Sequence, residues 1–322
     1  MAGPIRVGVV GVGEMGEKHV RTYTEMPGAQ LVGVVDPDPG RAAGVAARYQ
    51  TAPMDLDDLM DRVHAVSIAS PTLTHADVAL RAIEQGCHLL VEKPLAATLE
   101  EAGMLLDAAN QRRRVVFMVG HIERFNPTVM ALQTLIDGRA IRGLKFTRTS
   151  TFDRREAGCD IVYDLMIHDI DLALELVGEE IESIDASGDA IVSEQIDCAE
   201  AELRMKGDLP VSFLTSRVAA KEVRSIEVRT DDATITADLL RMGLSIEPHV
   251  SGGIAPATPI VGSDDPLRLE LEHFVRCVSA GTRPIVGIDA GYRSMVMATT
   301  ISSLIQRTRA ARHDRRLVPV AL

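Results

Sequence analysis

A chain of 322 residues exceeds the usual length of one domain, so two packed domains are expected. Its formal charge of −12, with no basic stripe and no stacking platform, excludes a nucleic-acid partner, because such a surface repels phosphodiester backbones. Trp is absent and aromatics reach only 3%, so aliphatic side chains must build the core.

No run approaches the roughly 20 apolar residues of a membrane-spanning helix. The N-terminus leads straight into a strand instead of a charged and apolar leader, so a cytoplasmic protein without membrane attachment is expected. Cys87, Cys159, Cys198 and Cys277 lack the close paired spacing of zinc ribbons or redox centres and read as reduced thiols. The basic cluster of Arg307, Arg309, Arg312, Arg315 and Arg316 reads as a solvated helix end that complements the dipole.

The first third alternates short apolar runs with amphipathic stretches. Strands are predicted at 5–12, 29–36, 65–70, 88–93 and 115–120, with helices near 14–26, 39–49, 75–86 and 98–112 between them. Strands buried on both faces, each followed by a helix, require crossovers and mark a doubly wound parallel sheet of the Rossmann type. Residues 1–122 are therefore read as one α/β domain. A helix near 128–137 follows, and then the texture changes. Strand-like segments at 143–152, 181–190, 198–205, 211–218 and 224–238 predict a largely antiparallel open sheet in an α+β domain, 123–322. A helix at 161–177 interrupts that series. The stretch 247–266 is rich in Gly, Pro and Ser and reads as a loop, and helices near 267–280 and 289–311 finish the chain, the last expected to pack back on the first domain.

The sequence GVGEMG places Gly11, Gly13 and Gly16 between a strand and a helix, with Glu14 and Met15 at the helix start. The three glycines suit a tight turn, a close approach of backbone to a pyrophosphate, and close helix-to-strand packing. The free N–H groups of the helix end face the phosphates. Asp36 ends the second strand, 20 residues beyond Gly16, where a carboxylate accepts both ribose hydroxyls and repels a 2′-phosphate. NAD is thus expected over NADP, the bland alternative for Asp36 being a turn former before Pro37. Ser70, Pro71, Thr72 and His75 follow the third strand at the ligand-binding edge of such sheets, although Thr72 or Thr74 also suits a helix N-cap.

Glu92 and Lys93, in EKP, end the next strand over the same edge. In YDLMIHDIDL, Asp164 and His168 are four apart and share a helix face, so the carboxylate can orient the imidazole and support it as a proton acceptor. Asp169 faces elsewhere and reads as a cap or an orienting group. No third convincing ligand accompanies Asp164 and His168, so no metal is expected.

The glycine turn, Asp36, EKP, HIERFNP and the D-x-x-x-H helix, in this order, closely resemble the Gfo/Idh/MocA family of glucose-fructose oxidoreductases and inositol dehydrogenases. The resemblance spans nearly the whole chain, including the stretch 273–298. It implies a two-domain NAD-dependent dehydrogenase acting on a CH–OH group, with Lys93, Asp164 and His168 as the catalytic set. It implies Glu92, Lys93 and Arg124 on the cofactor side, and Lys93, Arg124, Asn126, Arg148, Arg154, Arg155, Tyr163, Asp164 and His168 on the substrate side. Within the family, VGHIERFNP, RTSTF and YDLMIHDIDL look most like the branch that oxidises the 3-hydroxyl of UDP-N-acetylglucosamine for lipid A diamino-sugar synthesis, with an aminotransferase consuming the ketone. A nucleotide diphosphate calls for local arginines, for which Arg124, Arg148, Arg154 and Arg155 are candidates. The resemblance also implies a homodimer or homotetramer. An inositol or other polyol dehydrogenase is the alternative within the family, and a non-catalytic NAD-binding sensor the alternative outside enzymes.

Overall fold

The computed structural model describes residues 3–153, 158–178, 180–249, 262 and 264–316, with side chains to 311. Two compact units emerge. One runs to Phe125 and takes in Asp264–Met295; the other begins at Asn126 and takes in the chain from Val296.

The first unit carries a six-stranded sheet in the order β3-β2-β1-β4-β5-β6, every pair parallel. Its strands are β1 (Ile5–Val10), β2 (Ala29–Val35), β3 (Ala52–Pro53), β4 (Ala65–Ile68), β5 (His88–Glu92) and β6 (Phe117–Gly120). Helices α1 (Glu14–Glu25), α2 (Pro39–Arg48), α3 (Leu56–Met60), α4 (His75–Gln85) and α5 (Leu99–Gln111) provide the crossovers. β4 and β5 are buried almost throughout, as strands covered by helices on both faces must be. Because β2 and β4 lie on opposite sides of β1, the strand order reverses there, and the glycine turn sits at that switch point.

The second sheet has seven strands in the order β13-β12-β11-β7-β10-β9-β8. These are β7 (Ile141–Thr149), β8 (Ile181–Asp189), β9 (Cys198–Met205), β10 (Leu209–Ser216), β11 (Val223–Thr230), β12 (Ala233–Asp238) and β13 (Gly243–Pro248). All neighbours are antiparallel except β7 and β10, which run parallel because α7 (Ile167–Val177) and two strands intervene between them. Alternation along β7 and β9 buries Leu144, Phe146, Ala199, Ala201 and Leu203 while Lys145, Glu200, Glu202 and Arg204 face outward. Phe146 stacks on Phe213 of β10 at 5.2 Å, and burying each ring contributes roughly 1.5–3 kcal/mol. α6 (Pro127–Ile136) packs on β12 and β13, and α7 on β7.

Several expectations are corrected here. β3 and α3 are too short to declare themselves, the segment 224–238 is two strands broken at Asp231–Asp232, and β13, for which no strand was expected, ends at Glu247 and Pro248 inside the stretch expected as a loop. α8 (Pro266–Ala280) and the first turns of α9 (Ile288–Arg316) belong with the first unit: α8 packs on α1 and β1, and Gly287 bridges to Met118 of β6. The helix expected at 161–177 opens with a π turn over Val162–Met166 before becoming α-helical.

Candidate functional site

In the first unit the glycine turn has the form that phosphate binding demands. Gly11 has φ +83, and a Cβ there would lie 2.4 Å from Ser70 Cα; at Gly16 it would lie 1.9 Å from the Gly11 carbonyl oxygen. No larger residue fits either position. A Cβ at Gly13 would meet nothing within 4 Å, so the backbone at the start of α1 stands open to a ligand. Asp36 Oδ2 accepts the Val12 N–H at 2.9 Å and Oδ1 accepts that of Asp38 at 2.9 Å, which fixes the carboxylate beside the turn. Arg41 Nη1 reaches Oδ1 at 3.4 Å. A dinucleotide fits this set: amides for the pyrophosphate and a held carboxylate for the ribose.

Around that edge, side chains brace loops. Ser70 Oγ lies 2.7 Å from Thr74 Oγ1, which donates to the Pro71 carbonyl, so Thr74 does not cap α4. Thr72 sits in a 3₁₀ turn, half-buried. His75 is buried, with Nδ1 3.0 Å from the Pro94 carbonyl and Nε2 2.9 Å from that of Ser70. Desolvation lowers its pKa against the pull of those two carbonyls. The ring ties the loop after β4 to the loop after β5. Glu14 pairs with Lys18 on the open side of α1 and Met15 is half-buried.

Glu92 is likewise an orienting group. Its Oε1 lies 2.9 Å from His19 Nε2, and Oε2 accepts the Lys93 backbone N–H at 3.3 Å. Burial works to raise its pKa, but the His19 hydrogen bond and the neighbouring Lys93 charge outweigh burial and lower it. Lys93 is half-buried at the end of β5, and the Lys93–Pro94 peptide bond is cis. Arg124, in the turn after β6, is buried.

In the second unit, Asp164 lies within the π turn, half-buried, and His168 in the first turn of α7 is 9% exposed. The turn is anchored by Asp160, whose Oδ1 accepts the Val162 N–H at 2.9 Å and whose Oδ2 accepts the Ser302 hydroxyl of α9 at 2.7 Å. Tyr163 donates its hydroxyl to Thr299 Oγ1 at 3.1 Å, and burial raises its pKa. Asn126 Oδ1 caps α6 through the Thr128 N–H. Arg148 lies on the inward face of β7, 3% exposed, and grips Asp169. Its guanidinium therefore has a buried carboxylate partner within the second unit. Arg154 and Arg155 lie outside the described residues.

Lys93 belongs to the first unit and Asp164 and His168 to the second. Sequence reasoning missed His19, Asp160, Asp197, Arg217 and Glu270. His19 and Glu270 had a legible signal: each interrupts an apolar stripe, between Gly16 and Tyr23 on α1 and between Leu267 and Phe274 on α8. Among the described residues no cluster of three metal-ligating side chains occurs, and no helix is long and apolar enough to cross a membrane.

Residues 5–121 match the model of the oxidoreductase family with an NAD-binding Rossmann fold, and residues 133–236 that of the Gfo/Idh/MocA C-terminal domain. A UDP-N-acetylglucosamine 3-dehydrogenase of Acidithiobacillus ferrooxidans is 35% identical over 94% of this chain and 97% of that protein. The chain belongs to the Gfo/Idh/MocA family. It is an NAD-binding oxidoreductase. The solved structure of the A. ferrooxidans enzyme GnnA superposes with a TM-score of 0.88 at 32% identity, covering 94% of this chain and 98% of that one. The scyllo-inositol 2-dehydrogenase (NAD(+)) of Bacillus subtilis is 30% identical over 89% of this chain and 90% of that protein. A levoglucosan dehydrogenase solved with NADH shares the fold, with a TM-score of 0.85 at 22% identity over 94% of this chain and 97% of that one.

Proposed function

We propose that this protein oxidises the 3-hydroxyl of UDP-N-acetylglucosamine to a 3-keto nucleotide sugar, with NAD as hydride acceptor. The observation that carries this reading is the 35% identity, over 94% of the chain, to an enzyme of that name. The open amide end of α1 and the held Asp36 carboxylate would hold NAD, which supplies the two-electron chemistry. His168 is assigned to take the proton of the hydroxyl, and Asp164 to orient the imidazole and support its charge. Lys93 is assigned to stabilise the developing alkoxide with its ammonium group. Arg124 and Tyr163 are the further proposed substrate contacts. The ketone is an electrophile suited to transamination, so an aminotransferase is the proposed downstream partner. A cytoplasmic homodimer or homotetramer is proposed as the working form.

The second reading, oxidation of a ring hydroxyl of an inositol, draws on the 30% identity to the B. subtilis scyllo-inositol enzyme. Following NADH absorbance with NAD and a panel of nucleotide sugars and inositols separates the two. A transaminase trap belongs in the assay because alcohol oxidation by NAD runs uphill. NADH formed only with UDP-N-acetylglucosamine carries the proposal, while turnover of inositols alone replaces it with the second reading.

A further inference from the structure

Beneath Lys93 lies a buried acid cluster that the proposed chemistry does not use. Glu92 and Glu270 are both buried, with Glu270 at 0% exposure, and among the described residues His19 is the one imidazole hydrogen-bonded to either. Ionised Glu92 only accepts hydrogen bonds, and it takes one from His19 Nε2 and one from the Lys93 amide. Both oxygens of Glu270 and the Nδ1 of His19 are buried without a hydrogen-bond partner. α8 packs on α1 and β1, burying Glu270 near enough to Glu92 and Tyr23 for its charge to act on both, and His19 touches both of those residues, so the four side chains gather between α1, β5 and α8.

Two buried carboxylates sharing a single imidazole are not both ionised, because the second, at Glu270, finds no hydrogen-bond partner and its charge would repel the first. We propose that Glu270 is held as the neutral acid and that Glu270 and His19 are positioning residues for Lys93. His19 turns the Glu92 carboxylate onto the Lys93 amide, and the proton on Glu270 keeps a second negative charge out of the pocket under that residue. The inference rests on the dehydrogenase reading for its kinetic consequence alone. Burial and the Glu92 charge raise the pKa of Glu270 well above its ordinary value, in agreement with this geometry.

The buried titratable and charged groups on the elements packed around the cluster are His19 and Tyr23 on α1, Glu92 on β5, and Glu123 and Arg124 in the turn packed on α8, with half-buried Lys93 just past β5. His75, which feels the Glu92 charge, completes the set. Tyr23 is bonded to Ser67 at 2.7 Å, and burial holds it protonated through any working pH. A proton lost from Glu270 would add a negative charge to the cluster next to Lys93.

The test uses the full-length protein and the variants E270Q, E270L, H19Q and H19L. In wild-type minus E270Q infrared difference spectra at neutral pH, the carbonyl stretch of a protonated carboxyl group is expected. Its absence overturns the proposal. A raised folded pKa contributes stability that is complete below the ordinary value of 4.5 and is lost as pH climbs toward the raised one. Gln cannot ionise, so the unfolding midpoint of E270Q relative to wild type is expected to rise with pH across that range; a constant difference overturns the neutral-acid assignment.

In NADH formation, E270L and H19L are expected to lose kcat on the order of ten- to hundredfold, with the KM for NAD held, while E270Q and H19Q restore most of the loss. Equal kcat in E270L and E270Q, or in H19L and H19Q, overturns the positioning role. The infrared and thermal arms need no substrate. A wild type that oxidises neither nucleotide sugars nor inositols refutes the functional reading while those arms still decide the protonation of Glu270.

Discussion

Arg148 reaches Asp169 with Nη2 at 2.7 Å and Nε at 3.1 Å, both side chains 4% exposed, and Asp169 is the residue immediately after His168. Residues 144, 146 and 148 share the inward face of β7, so the pair crosses from the sheet to the first turn of α7. The fork of an arginine matches a carboxylate in two bonds and fixes an angle as well as a distance. That clamp sets the rotation of the helix that carries His168.

Removing one partner leaves the other buried and charged. D169A is expected to cost about 3–5 kcal/mol in denaturant unfolding at neutral pH. R148K keeps the charge but loses the fork; it is expected to retain most of the stability while kcat falls, because a point charge fixes no angle. A lysine variant with unchanged kcat would show that the pair serves stability alone.

The second buried pair shapes the approach to the π turn. Arg217 Nε lies 2.9 Å from Asp197 Oδ1, both at 0% side-chain exposure, and its Nη1 donates to the Cys159 carbonyl at 2.7 Å. Asp197 Oδ2 also accepts the N–H groups of Ile191, Val192 and Ser193. Burial pushes the Asp197 pKa up, but these backbone bonds outweigh it and hold the carboxyl far below the usual range. A depressed folded pKa contributes stability that is present above the unfolded value and is lost as pH falls through the folded one. D197N is therefore expected to unfold at about 3–5 kcal/mol less than wild type at neutral pH. The gap should narrow once the pH drops below about 3.8, where the unfolded carboxyl protonates. Urea melts at neutral and strongly acidic pH measure it, and a gap that stays constant would refute the assignment.

The contrast between these pairs and the glycine turn shows which features sequence carries. Gly11, Gly13, Gly16 and Asp36 are legible because their geometry is set locally, within one strand–turn–helix unit. The clamp on Asp169 joins residues 21 apart, the bond from His19 to Glu92 spans 73, and no local periodicity encodes either. The π turn is hidden for another reason: adding one residue to a helical turn changes its hydrogen bonds and leaves its composition ordinary. β13 is obscured because Gly243, Ser245 and Pro248 have low strand propensity, and pairing with β12 makes that segment a strand.

Cofactor choice follows from Asp36 and Arg41. The carboxylate is fixed by the Val12 and Asp38 amides and opposes a 2′-phosphate, while Arg41 at its side carries the charge that a phosphate needs. D36S removes the repulsion and leaves Arg41 available. Its kcat/KM ratio for NADP over NAD is expected to rise by on the order of a hundredfold, since one desolvated charge contact is worth roughly 1.5–3 kcal/mol. D36S/R41A should return the NADP gain to near zero. Steady-state kinetics with both cofactors measure this, and a D36S enzyme still selective for NAD would refute the assignment.

At the opposite edge of the same sheet, His64 and His88 each hold a backbone N–H that protonation would release. His64 Nδ1 accepts the Arg6 N–H at 3.1 Å and His88 Nδ1 accepts the Val116 N–H at 2.9 Å, bonds that need an unprotonated Nδ1. Desolvation lowers both pKa values, Arg6 adding to the effect at His64 and His64 to that at His88. The sign follows from the depressed folded values. Their contribution is complete above the ordinary 6.5 and is lost as pH falls through the lowered values. Wild-type thermal midpoints are expected to drop as the pH falls from about 7.5 to 5. An amide oxygen accepts the same N–H without titrating, so H64N/H88N should flatten that slope. A double variant with the full wild-type slope would place the acid sensitivity in other groups.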